Sequence, residues 1–401
     1  MKRPRHLAPN VLRSFGQQPV NKQRAMKKTL IKVIVLLTML LGLPMAGILL
    51  AGRPVSVYLE FPPKTIYVQE TPFSWPTFVA YSLFVLAILS PLIIHGLGKN
   101  CGVHNKRPSA GFPWWGWLGL FFGTAAWIFA WTRFPWFGPF QPHTFTPLWV
   151  GYIVTLNALT YRRAGSCLML DQPLPFLFLF PVSAAFWWFF EYLNRFVQNW
   201  YYIGPEFGPA EYFLYATFSF STVLPAFAST REWLLSFPRI VESFQGFPSL
   251  RVSRPRCLAG LVLTAAGTGL LLLGLLPHHL FPLLWISPLL ILVSLQALLQ
   301  EDHLLKALTQ GDWTLVLSSA LSGLICGFFW EMWNYWSLAK WIYRVPFVHR
   351  FQIFEMPLLG YAGYLPFGVE CAVIVGMIIP FSLPSSRPIC RGERFPPQSG
   401  R

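Results

Sequence analysis

Charge is what this sequence has least of. Of its 401 residues only 11% are Asp, Glu, Lys or Arg, and just 15 are acidic, against roughly 25% charged residues in an ordinary soluble domain. With 54% hydrophobic and 17% aromatic residues, so few charges cannot clothe a folded surface, and lipid has to cover much of it. Cysteine is scarce as well. Cys101, Cys167, Cys257, Cys326, Cys371 and Cys390 form no C-x-x-C pair and no Cys/His spacing that closes a tetrahedral zinc site, so free thiols are expected. The adjacent rings of His278 and His279 point apart, and no metal is expected there either. No G-x-x-x-x-G-K-[ST], G-x-S-x-G or H-E-x-x-H occurs, which removes the handles of nucleotide, serine-hydrolase and zincin chemistry. No cofactor is expected.

The net charge of +16 raises nucleic-acid binding, and the placement of the 31 Lys and Arg argues against it. Eight (Lys2, Arg3, Arg5, Arg13, Lys22, Arg24, Lys27 and Lys28) precede the first long apolar run, and five (Arg231, Arg239, Arg251, Arg254 and Arg256) share one central connection. Clusters between apolar runs set membrane topology and do not build a groove, so no nucleic-acid partner is expected.

Long apolar runs are what the chain has in abundance. A bilayer requires about 20 mostly apolar residues per helix, and ten such runs lie at 30–51, 76–97, 114–132, 145–161, 174–193, 209–228, 257–276, 281–299, 313–334 and 356–383. Unbroken runs exclude a strand-built barrel, so the expected fold class is all-α, a polytopic integral membrane protein. The first run keeps 33–51 free of charge, longer than the apolar part of a cleaved signal peptide, and is expected to remain as a span. Alternate connections carry 23 and 7 of the Lys and Arg residues. That imbalance places both termini in the cytoplasm, with the protein in the cell membrane, and puts Cys101, Cys167, Cys257 and Cys390 on the reducing side.

An internal duplication is expected from ordered punctuation. Phe186-Trp-Trp-Phe-Phe-Glu191-Tyr-Leu-Asn194 is answered by Phe328-Phe-Trp-Glu331-Met-Trp-Asn334; Trp200-Tyr-Tyr202 by Trp341-Ile-Tyr343; Leu224-Pro225 by Leu365-Pro366. Each copy holds four runs, an even number, so the copies enter the membrane in the same direction. The chain then divides into a basic cytoplasmic segment (1–29), two leading transmembrane helices (30–113), a first four-helix repeat (114–229), a cytoplasmic linker (230–256), a second four-helix repeat (257–383) and a disordered cytoplasmic tail (384–401).

Glu and Asn three apart share one face of a helix, so Glu191/Asn194 and Glu331/Asn334 each converge on a common partner. Glu211 and Glu355 start the following runs, and with Glu370 deeper these acids are expected to face one cavity, several of them among apolar neighbours as a proton donor requires. Glu331, Glu355 and Glu370 are the expected catalytic acids; Glu191, Asn194, Asn334, Trp341, Tyr343, Arg344 and Arg350 are the expected substrate-binding residues. The second copy is expected to hold the working site, because Glu370 stands where the first copy has Ser229. Lys340, Arg344 and Arg350 offer positive charge to an anionic headgroup. A structural role competes with each reading: Trp and Tyr crowd membrane interfaces, Glu211 and Glu355 suit helix N-termini, and Glu191 and Glu331, near helix C-termini, would pair with Arg195 or Lys340. Gly323 and Gly327 read as a small-residue track for helix packing.

In the second copy, Glu331 followed by Trp341-Ile-Tyr343 and then Leu365-Pro366-Phe-Gly-Val-Glu370 resembles the integral-membrane lycopene cyclase domain, which also occurs in tandem. The resemblance covers about 50 residues of each copy. It departs from the family's Pro-x-Glu-Glu signature, since Glu370 is a single acid spaced one residue too far. It implies an acid that protonates a polyene double bond, with aromatic walls facing the cation. A membrane lipid or isoprenoid is the expected partner. Transport of a lipid or amphiphile, and assembly of other membrane proteins without catalysis, fit the same composition.

Overall fold

The computed structural model describes residues 31–98 and 111–380; the expectations for 1–29, Cys101, Cys390 and the tail 384–401 lie outside the described residues. Among the described residues six helices are long and apolar enough to cross a bilayer: α1 (Ile31–Leu50), α2 (Trp75–Leu97), α5 (Pro173–Val197), α8 (Pro255–Leu272), α10 (Thr314–Tyr335) and the stretch Leu358–Ile378, whose α-helical part is α11 (Tyr364–Ile378). The remaining expected runs are also helical. They form α3 (Trp114–Trp131), α4 (Phe145–Ala164), the successive helices α6 (Pro209–Phe220) and α7 (Val223–Leu235), and α9 (Leu283–Leu298).

Local chemistry sets the ends. Pro173, Pro209 and Pro255 open α5, α6 and α8, where a missing N–H costs no hydrogen bond. The run at 209–228 is broken into two helices at Ser221 and Thr222. Thr222 Oγ1 donates to the Ser219 carbonyl at 2.8 Å, and Pro225 falls in the first turn of α7, the position a proline tolerates. Apolar surface is left open: α2 has no buried residue, and Leu83, Phe84, Phe121 and Leu174 are exposed.

The first block, α3–α7, meets the second, α8–α11, through rings. Trp149 of α4, fully buried, lies 5.2 Å from Trp330 and 5.1 Å from Trp333 of α10. Phe190 of α5 stacks on Trp285 of α9 at 5.3 Å. Within the second block α10 and α11 touch backbone to backbone: a Cβ on Gly323 would fall 2.4 Å from the Tyr364 carbonyl oxygen, and one on Gly368 would fall 2.2 Å from that of Ser319. The small-residue track is therefore a packing seam.

After α5 and after α10 the chain runs into short strands, β1 (Trp200–Ile203) and β2 (Lys340–Tyr343). They pair antiparallel across the block boundary, Trp200 with Tyr343, Tyr201 with Ile342, Tyr202 with Trp341 and Ile203 with Lys340. The Trp200–Tyr343 and Tyr202–Trp341 pairs are related by exchanging one Trp-x-Tyr for the other, so the ribbon has a local two-fold through Tyr201 and Ile342. A second hairpin, β3 (Gln352–Ile353) with β4 (Met356–Pro357), turns at Phe354 in the left-handed region, φ 57°.

Candidate site between the two blocks

Glu191 sits in the next-to-last turn of α5, and three aromatic donors converge on its Oε1. Trp187, one turn earlier on the same face, donates from Nε1 at 3.2 Å; Trp200 Nε1 donates at 2.9 Å and the Tyr202 hydroxyl at 2.6 Å. Glu331 occupies the matching place in α10. Its Oε1 accepts from the hydroxyls of Tyr343 at 2.7 Å and Tyr364 at 2.5 Å, while Trp341 Nε1 donates to the Tyr343 oxygen at 2.8 Å. The other oxygen, Oε2, is buried without a hydrogen-bond partner. No salt bridge to Glu191 or Glu331 occurs among the described residues.

The asparagines fix the geometry. Asn194 Nδ2 donates to the Trp200 carbonyl at 2.8 Å and its Oδ1 accepts from the Asn199 N–H at 2.8 Å. Asn334 Nδ2 donates to the Trp341 carbonyl at 2.8 Å and its Oδ1 accepts from the Trp341 N–H at 2.9 Å. Each asparagine ties a helix end to the strand that follows, which aims the Trp-x-Tyr side chains back at the glutamate one turn earlier.

Between the blocks, under the ribbon, lies a cavity of about 620 Å³. Its wall is aromatic, with Trp187, Phe220, Trp285, Trp330, Tyr343 and Tyr364, and its mouth carries Lys64, Arg195, Lys340 and Arg344. Four helices line it from near one end, Phe145 on α4, Trp285 on α9, Trp330 on α10 and Tyr364 on α11, while α6 lines it from Tyr212 to Phe220. The two acids differ in access. Glu191 lines the cavity and is 6% exposed, whereas Glu331 is 0% exposed and reaches the cavity only through Tyr343 and Tyr364.

The other expected residues are placed differently. Glu355, half-buried, is held by Lys340 Nζ at 2.6 Å and does not line the cavity. Glu370, on α11, is 1% exposed with both oxygens unpartnered, and it too is away from the cavity wall. Arg350 lies over Phe73 at 5.1 Å and Trp75 at 5.3 Å, outside the site. Arg344 lines the mouth. Glu211 accepts from the Gly208 N–H at 3.2 Å and caps α6. Of the acids expected to face one cavity, Glu191 lines it, and Glu211, Glu331, Glu355 and Glu370 do not. Arg195 does not pair with Glu191: its Nη2 donates to the Val57 carbonyl at 2.8 Å and approaches Glu60 at 3.7 Å. In that loop the Thr65 N–H, at 2.8 Å, holds the Glu60 carboxyl below its usual range, aided by the Lys64 N–H and Arg195.

Sequence reasoning passed over Tyr364, Trp187, Trp285 and Gln198. Trp187 carried a signal, since it precedes Glu191 by four on one helix face. Gln198 carried none. In the left-handed region at φ 50°, it accepts from the N–H groups of Tyr67 and Val68 at 2.9 and 2.8 Å and donates to the Thr65 carbonyl at 2.9 Å. That clasp, joined by a hydrogen bond from the Tyr67 hydroxyl to the Arg195 carbonyl, pins the segment from Pro62 to Ile66 along the cavity mouth. His278 bonds to Thr71, and no cluster of three or more metal-binding side chains occurs among the described residues. The described cysteines, Cys167, Cys257, Cys326 and Cys371, are free.

Comparison with protein-family models, with curated proteins and with solved structures finds no match for this chain.

Proposed function

We propose that this multi-pass membrane protein takes a hydrophobic lipid or isoprenoid substrate into the cavity between its two blocks and acts on it by carboxyl-mediated acid–base chemistry. The observation that carries this reading is Glu191: a carboxyl on an aromatic cavity wall, held by three neutral donors and in no salt bridge among the described residues. A carboxyl so placed is able to give up and recover a proton at the substrate, while ring faces stabilise positive charge developing there. Glu331 acts through the Tyr343 and Tyr364 hydroxyls and is a positioning residue. The chemistry parallels what the resemblance to the lycopene cyclase domain implies, with Glu191 and not Glu331 meeting the substrate. That neither Glu191 nor Glu331 is in a salt bridge among the described residues favours a working site over a purely structural assembly role.

The same reading includes ten spans, two parallel four-helix repeats and both termini in the cytoplasm. The repeats are supported by the two-fold register of the β1–β2 ribbon and by the matching asparagine clasps. Mass spectrometry of lipid and isoprenoid extracts tests the function. Cells expressing the protein should differ in at least one hydrophobic metabolite from cells lacking it, and Glu191→Gln should restore the pattern of the lacking cells. Identical extracts would end the catalytic reading.

Orientation is tested at Cys257, which is exposed. Cys167 is a poor reporter, because it is buried and burial pushes its thiol up to about 11, leaving little of the reactive thiolate. A variant retaining Cys257 alone should react with an impermeant maleimide only after the cells are opened. Labelling of intact cells would invert the topology.

A further inference from the structure

The cavity has two chemically distinct parts, an aromatic body and a cationic mouth, and the four cations of the mouth are not equivalent. Lys64 is 3.3 Å from Glu206, Arg195 faces Glu60 and two backbone carbonyls, and Lys340 holds Glu355 at 2.6 Å. Arg344 has no carboxylate partner among the described residues. Its guanidinium lies 4.9 Å from the centre of the Tyr201 ring, and its backbone N–H is fixed to the Asn199 carbonyl at 2.6 Å. A guanidinium over a ring face does not spend its N–H groups on that contact, and those groups form a planar fork that matches the oxygens of a phosphate or carboxylate. Arg344 lines the same cavity as Trp187, Trp285 and Trp330.

Resting on the function proposed above, we infer that the substrate is a single-chain amphiphile with an oxyanion head, its head on Arg344 and its apolar chain along Trp187, Trp285 and Trp330. A cavity of about 620 Å³ falls within the roughly 300–1,000 Å³ of small-molecule sites, which suits one chain with its head. Arg344 binds the head and fixes how far the chain reaches past Glu191, and therefore which carbon meets the acid.

The test uses the full chain in phosphatidylcholine nanodiscs, titrated with octyl phosphate, octanol and inorganic phosphate and read by tryptophan fluorescence, the cavity wall being rich in Trp. Octyl phosphate should bind about tenfold more tightly than octanol, and inorganic phosphate more weakly than octyl phosphate. Arg344→Gln should bring octyl phosphate to the level of octanol without changing octanol, and Arg344→Lys should recover part of the loss. Equal affinity for octyl phosphate and octanol, or an Arg344→Gln protein that binds octyl phosphate like wild type, overturns the headgroup site and leaves the proposed hydrophobic-substrate function standing. Inorganic phosphate binding as tightly as octyl phosphate assigns the site to free phosphate and overturns the amphiphile. Binding of none of the three overturns both the inference and the function on which it rests. Should Arg344→Gln fail to fold, the wild-type comparison of phosphate with alcohol and the Arg344→Lys affinity decide.

Discussion

Glu191 and Glu331 are held in the same way by asparagine-clasped strands, yet one opens on a cavity and the other is sealed. The difference comes down to two exchanged positions. Four residues before Glu191 stands Trp187, which donates to it; four before Glu331 stands Gly327. Ahead of Leu224-Pro225 stands Val223; ahead of Leu365-Pro366 stands Tyr364. In the first block the extra donor therefore comes from the glutamate's own helix. In the second block Gly327 vacates that space and the ring of Tyr364, from the next helix, fills it: a Cβ on Gly327 would lie 2.3 Å from the ring. Both carboxyls keep aromatic donors, but Val223 has no hydroxyl with which to close the wall over Glu191. Access to the cavity is set by which helix supplies the ring.

The largest expected effect follows from that difference. General acid–base catalysis contributes on the order of 10²–10⁴-fold, so Glu191→Gln should lower turnover of the metabolite identified from cell extracts by at least about 100-fold. Glu331→Gln, which can still accept from the two tyrosines through its amide oxygen, should lower it by only about tenfold. Quantifying product at equal membrane expression checks this, and the reverse ranking would return the working role to the second block.

Tyr364→Val makes the second block resemble the first and should open Glu331 to the cavity. Removing a buried ring and a hydrogen bond costs about 3 kcal/mol, readable as a lowered Tm in detergent. Dicyclohexylcarbodiimide, an apolar reagent for carboxyls, should modify Glu191 alone of the two in the wild type and both in the variant, as peptide mass spectrometry would report. Modification of Glu331 in the wild type would mean that the tyrosine wall does not seal it.

Farther along α7 and α11 the blocks diverge again. Asn157 Nδ2 donates to Ser229 Oγ at 2.8 Å, a satisfied buried pair, whereas Glu370, at the position answering Ser229, has neither oxygen bonded. A buried polar group without partners is a net cost. Glu370→Met, close in length and apolar, should therefore raise stability by about 1 kcal/mol, while loss of function without loss of stability would restore Glu370 to the site.

Much of this was legible in sequence because the bilayer imposes a length. Within the described residues each expected apolar run contains a helix, and the Glu-x-x-Asn and Trp-x-Tyr segments do meet around carboxyls. What escaped was pairing between distant segments. Strands of four residues carry too little alternation to announce themselves, so nothing in Trp200-Tyr-Tyr202 signalled that it would lie antiparallel to Trp341-Ile-Tyr343. Grouping Glu331 with Glu355 and the deeper Glu370 assumed that the last two runs fold back so that their acids share one space. Lys340 takes Glu355 aside, and the helical rotation of α11 turns Tyr364, and not Glu370, toward the cavity.

The smallest expected effect is a difference close to zero, and it bears on whether the blocks are copies. Asn194 and Asn334 each bridge a helix end and the first residue of a Trp-x-Tyr segment, spanning six residues in one block and seven in the other. The extra residue in the second block is absorbed before Trp341, since both carbonyl bonds are 2.8 Å. Each asparagine satisfies one backbone carbonyl and at least one backbone N–H of the segment that follows its helix, and leaving such groups unpaired costs about 1–3 kcal/mol. Asn194→Ala and Asn334→Ala should thus destabilise by similar amounts, about 2 kcal/mol each, and differ by less than about 0.5 kcal/mol, the scatter expected of independent equivalent sites. Thermal unfolding of both variants in one detergent measures the difference. If one asparagine proves dispensable while the other does not, the matching geometry is convergence around two unlike sites, and the second Trp-x-Tyr owes its aim to the ribbon pairing instead of to its own clasp.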